Sequence, residues 1–68
     1  MQTLEITRNG DLAVSDQLDE MRRWLEREDI RTTDLHAVRI LRARVTYSAT
    51  FEKKVDADRF LEAFREFD

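Results

Sequence analysis

The sequence predicts an α+β domain in which two helices pack on one face of an antiparallel sheet, a two-layer ββαββα arrangement spanning residues 1–68 as one small unit. Three observations lead there. Residues 44–52 alternate strictly, with Val45, Tyr47, Ala49 and Phe51 on one parity and Arg44, Thr46, Ser48, Thr50 and Glu52 on the other, the period-two signature of a half-buried strand. The segment that follows carries Ala57, Phe60, Leu61 and Phe64 on one helical stripe, with Phe67 at its edge. A second amphipathic helix is expected earlier, from Leu18, Met21 and Leu25.

The first two strands are expected from residues 3–15. Leu4 and Ile6 alternate with polar residues, Asn9-Gly10 interrupts, and Leu12 and Val14 alternate again. A two-residue loop would put Leu12 and Val14 on the wrong face. A three-residue loop of Arg8, Asn9 and Gly10, with the glycine left-handed in a G1 bulge, pairs Thr7 with Asp11, Ile6 with Leu12 and Leu4 with Val14.

Ser15 or Asp16 then caps the first helix, whose opening turn is crowded by Asp16, Asp19 and Glu20. It is expected to end near Asp29. Trp24 falls at the margin of its apolar stripe.

Residues 30–43 read two ways. Leu35, Val38, Leu41 and Val45 fit helical spacing, giving a short helix from Asp34 to Arg42, while His36, Val38 and Ile40 fit a strand. The Val-Arg-Ile run favours the strand, with Ile40 opposite Val45, Val38 opposite Tyr47, His36 opposite Ala49, and a four-residue turn from Leu41 to Arg44. Beyond the last strand, Asp56 stands where an N-cap would, and Val55 and Phe60 have the spacing of a hydrophobic staple. The outer sheet face would be polar, with Thr3, Glu5, Thr7, Arg39, Thr46, Ser48 and Thr50.

Composition excludes several function classes. The chain has 68 residues, no cysteine, one histidine and one glycine. A domain of this size buries only about 60% of its unfolded surface, so its core is marginal. Without cysteine there are no disulfides or thiolate ligands, and one histidine cannot assemble a zinc site. One glycine cannot make a phosphate-binding loop. No apolar run reaches membrane-spanning length and no signal peptide opens the chain, so a cytoplasmic location without membrane contact is expected. His36 beside Asp34 has the elements of a general base with its orienting carboxylate, but a partly buried histidine at a strand start is the plainer reading. The acidic groups near both helix starts read as dipole partners. No enzyme, cofactor or metal is expected.

The net charge of −3 argues against a dedicated nucleic-acid module. Its distribution is uneven: residues 22–44 hold seven arginines against four carboxylates. Arg39, Arg42 and Arg44, near the second hairpin's tip, are candidate phosphate contacts, although no aromatic residue shares the polar face for bases to stack on. Trp24 and Phe67, at the edges of their helices, are candidate anchors for a protein interface. Exposed sheet edges favour a homodimer. The expected function is thus a small, non-enzymatic, self-associating and protein-binding domain, with weak nucleic-acid binding as the alternative.

The segments Met21-Arg22-Arg23-Trp24-Leu25 and Phe51-x4-Asp56-Ala57-x2-Phe60-x2-Ala63-Phe64 together resemble short uncharacterised bacterial proteins, over about the last two-thirds of the chain. The resemblance implies a bacterial, cytoplasmic origin. It carries no activity and no functional residue.

Overall fold

A computed structural model describes residues 1–64. Three strands and two helices follow one another as β1 (Gln2–Asn9), α1 (Val14–Arg27), β2 (Thr32–Ile40), β3 (Arg44–Phe51) and α2 (Lys54–Phe64). The antiparallel sheet has the order β1-β3-β2. The class is α+β, but the order is βαββα instead of the expected ββαββα. Since β1 and β2 each run antiparallel to β3, they run parallel to each other, and β1-α1-β2 is a split βαβ unit with β3 inserted between its strands.

The expected first hairpin does not form. β1 pairs with β3 in an unbroken eight-residue register, from Gln2 opposite Phe51 to Asn9 opposite Arg44. Val14 instead opens α1, because Val14, Leu18, Met21 and Leu25 are spaced four, three and four residues apart and extend one helical stripe. Two alternating residues could not outweigh that stripe together with a full ladder to β3. Leu12, left outside both, is 54% exposed.

Gly10 is also not left-handed. Its N–H donates to the Ala43 carbonyl at 3.0 Å, and a Cβ there would lie 3.2 Å from the Ala43 carbonyl carbon. Its smallness serves a close backbone approach to the β2–β3 turn instead of a turn of its own.

Residues 32–40 are a strand, which overturns the helical alternative. Ile40 lies opposite Val45 as expected, but the ladder shifts around Val38, so that Ala37 faces Tyr47, Leu35 faces Ala49 and His36 faces Ser48. The bulge turns Leu35 and Ala37 to the core side, where both pack against it. Val38 and His36 are therefore exposed, contrary to the partly buried histidine expected.

The N-cap of α1 lies two to three residues before the expected Ser15 or Asp16. Ala13 occupies the N-cap in extended conformation without a side-chain cap bond, and Asp16 lies in the first turn, near the positive end of the dipole. Its far end closes as a Schellman motif: the Ile30 N–H donates to the Leu25 carbonyl at 2.9 Å and the Asp29 N–H to the Glu26 carbonyl at 3.1 Å. Asp29 holds the left-handed position, φ 55°, and Ile30 and Leu25 are both buried. Helix α2 begins at Lys54, which makes Asp56 a first-turn residue and leaves Val55 exposed, so neither the expected cap nor the staple forms. Phe67 lies outside the described residues.

One core cluster unites Ile6, Val45, Tyr47, Ala49 and Phe51 of the sheet with Met21, Leu25 and Ile30 and with Ala57, Phe60 and Phe64 of α2. Helix α2 lies against β1 and β3, and α1 against β2. On the opposite sheet face, Thr3 and Thr50 share a hydrogen bond of 3.0 Å and Thr7 and Thr46 one of 3.1 Å.

The Schellman position yields the first prediction. A non-glycine residue there pays for its left-handed backbone, aspartate less than most. Asp29→Gly is expected to stabilise by about 0.5–1 kcal/mol, raising Tm by a few degrees in a domain of this size; thermal unfolding followed by circular dichroism measures it.

Candidate interaction surfaces

The arginine-rich tip is built by the β2–β3 hairpin. The Leu41 N–H donates to the Arg44 carbonyl at 2.8 Å, closing the loop on Arg42 and Ala43. Register sets Arg39 opposite Thr46 and Arg44 opposite Asn9, so both arginines sit on the threonine-bearing face. Arg42 lies in the turn, and all three are exposed. Farther along the same face, His36 Nδ1 lies 3.0 Å from Asp34 Oδ2, with both side chains about half exposed. The pair is i, i+2 on a regular stretch of strand and stands open to solvent. Among the described residues no group of three histidine, aspartate or glutamate side chains is placed to hold a metal ion.

Next to the tip, the end of β2 and the residue that follows it carry apolar side chains that the core does not cover: Val38 is 45%, Ile40 67% and Leu41 59% exposed. Since β2 is an edge of the sheet, these side chains accompany backbone groups that no other strand among the described residues approaches. Side chains of this kind on an outer strand form a surface suited to pairing with another chain.

Trp24 is placed differently. Its ring meets Phe64 edge-on, with centroids 5.3 Å apart and planes at 81°, and Phe60 at 6.1 Å and 64°. Both are favourable aromatic geometries. Half-buried, the indole packs against the core and also lines, with Leu12, Phe64, Asp19, Glu20 and Arg23, a cleft of about 580 Å³. Trp24 thus belongs to the helical side, among Phe60 and Phe64, and the arginines to the β2–β3 hairpin.

A buried polar relay holds the tip to α1. Tyr47, fully buried in the middle of β3, donates its phenolic hydrogen to Gln17 Oε1 at 2.5 Å. Gln17 Nε2 donates in turn to the Asn9 carbonyl at 2.6 Å, at the end of β1 that pairs with Arg44. Beside it Arg8, 8% exposed, reaches Glu20 at 2.6 Å and lies 5.2 Å from the centre of the Phe64 ring, within cation–π range. Arg8 and Gln17 were missed as interior residues, although the pattern contains them: Arg8 shares the parity of Leu4 and Ile6, and Gln17 lies three residues from Val14 and four from Met21.

No family model matches the chain, and neither a curated protein nor a solved structure does.

Burial raises the Tyr47 pKa above its ordinary 10.0, partly opposed by the positive charge of Arg8. The phenol is neutral in both states below pH 10. As pH rises further, the unfolded chain loses its proton first, so folding is weakened between pH 10 and the raised native value. Tyr47 is the only tyrosine, so tyrosinate absorbance reports it directly. Native protein is expected to ionise at a higher pH than protein in urea, and Tyr47→Phe is expected to flatten the alkaline loss of stability. Coincident titration curves in the two states would contradict this assignment.

Proposed function

We propose that this chain is a small non-enzymatic interaction domain that self-associates and binds protein through the exposed edge of its sheet. The observation that carries the reading is the run Val38, Ile40 and Leu41, three uncovered apolar side chains at the end of edge strand β2. Scattered single apolar residues on a surface need no explanation, but several together beside unpaired backbone do. A domain this small also gains from burying further apolar area against a second surface.

A two-layer arrangement, with both helices on the Val45–Phe51 face, fits the cluster that joins both helices to that parity of β3. It leaves the threonine face and the β2 edge for contact. The non-enzymatic reading and the cytoplasmic location rest on composition, with one histidine, no cysteine and one glycine. Among the described residues no helix is long and apolar enough to cross a membrane. A bacterial source rests on the sequence resemblance alone.

Light scattering after size exclusion, over a range of concentrations, tests self-association. The expected mass is that of two chains at high concentration. Ile40→Lys, which replaces the most exposed of the three side chains with a charge, is expected to return the monomer without loss of helix or sheet signal. A wild-type monomer at every concentration would remove the proposal.

Nucleic-acid binding is the second reading, favoured by the gathering of exposed Arg39, Arg42 and Arg44 around one turn. It draws no aromatic platform from the threonine face, so phosphate contacts would have to supply its affinity. RNA or DNA should then bind more weakly as salt rises, and the triple Arg→Ala variant should not bind. Binding that ignores salt would eliminate this reading.

A further inference from the structure

We infer that the partner of the β2 edge is a second copy of this chain, paired antiparallel along β2 about a twofold axis at His36, with Asp34 of each copy opposite Arg39 of the other. The inference rests on the self-association proposed above and specifies its register.

Two antiparallel strands related by a twofold axis perpendicular to the sheet oppose residues that point to the same face. In a regular strand Asp34 and Arg39, five residues apart, would point to opposite faces. The ladder shift at Val38 changes this. Asp34 lies opposite Thr50 and Arg39 opposite Thr46, and Thr46 and Thr50 share one parity of β3, so the two charges are brought to the same face of the same edge strand.

When Val38, one of two irregular positions in the β2 ladder, is treated as the extra residue in each copy, His36 falls on the axis. Leu35 then opposes Ala37 of the second copy, and Asp34 opposes Arg39 twice over. The edge is thus complementary to itself in charge as well as in backbone direction. Asp34 already contacts His36 of its own chain through one oxygen, Oδ2, and both side chains remain about half exposed, accessible to an approaching arginine. Opposite charges directly across a ladder stabilise it, and like charges destabilise it.

Charge reversal tests the register. Asp34→Arg sets arginine against arginine, and Arg39→Asp sets aspartate against aspartate. Each variant alone is expected to dimerise at least about tenfold more weakly than wild type, from two altered pairs per dimer. Mixed together, they oppose arginine to aspartate at both positions and should form a heterodimer of nearly wild-type affinity. The double reversal should homodimerise again.

His36→Cys gives a reading independent of affinity, in a chain with no other cysteine. Residues opposed on the axis lie within disulfide range, whereas two copies of position 39 would be about 15 Å apart. Mild oxidation should therefore link His36→Cys into a covalent dimer and leave Arg39→Cys unlinked. Single reversals that dimerise normally, a mixture that fails to restore association, or cross-linking of the two cysteine variants to the same extent would overturn this register. In each of those cases a wild-type dimer leaves self-association standing, while a wild-type monomer removes both.

Discussion

The structure depends on the central position of β3. Val45, Tyr47, Ala49 and Phe51 on its core face are all buried, and a strand so placed must have both rows of backbone groups paired, since an unpaired buried amide is costly. β2 meets one row through a short hairpin. The other row is met by β1, which is separated in sequence by α1 and β2. The long-range ladder is complete over eight residues, and it obliges the intervening chain to cross the sheet as α1. The helix thus serves both as the connection and as packing against β2. Closing that loop costs entropy before its contacts form, which makes β1 pairing the non-local step of this fold.

A buried hydroxyl sets the position of α1 along that crossing. Tyr47 places its phenol in the interior, where an unmatched donor would cost on the order of 1–3 kcal/mol. Gln17 accepts that hydrogen and passes its own to the Asn9 carbonyl. One amide therefore fixes helix, central strand and edge strand relative to each other. An apolar residue at position 17 would bury well but would leave the hydroxyl unmatched. Arg8 acts nearby in a similar way, with its guanidinium joined to Glu20 and set against Phe64, so the interior near the sheet tip is specified by directional contacts as well as by shape.

Legibility in the sequence followed the strength of the period. The Val45–Phe51 strand and the Ala57-Phe60-Phe64 stripe were readable because their alternation and helical spacing are unambiguous over several residues. The polar parity of Thr3, Glu5, Thr7, Thr46, Ser48 and Thr50 followed from them. Val14 was misread because it fits both periods, and only the distant pairing of β1 with β3 decides between them. Gly10 was misread for a related reason: its single constraint, contact with Ala43, comes from 33 positions along the chain. The bulge at Val38 leaves no composition signal, so strict alternation puts His36 opposite Ala49 and partly buried, whereas it faces Ser48 and is exposed. As for the candidate residues, the exposure of Arg39, Arg42 and Arg44 at one tip was legible from the hairpin, whereas the uncovered state of Ile40 and Leu41 was not.

Bulges on edge strands ordinarily guard against indiscriminate pairing by bending the strand and misaligning its outer amides. The two edges of this sheet differ in that respect. β1 pairs without irregularity, so its only charged residues, Glu5 and Arg8, three positions apart, point to opposite faces and cannot oppose each other across a twofold axis. Regularity leaves that edge with no self-complementary charge pattern, and Arg8 is drawn into the interior. In β2 the shift at Val38 brings Asp34 and Arg39 to one face. A distortion of this kind lowers the number of registers in which a second strand can lie while making one of them electrostatically favourable. Guarding an edge and selecting its partner are then consequences of the same extra residue.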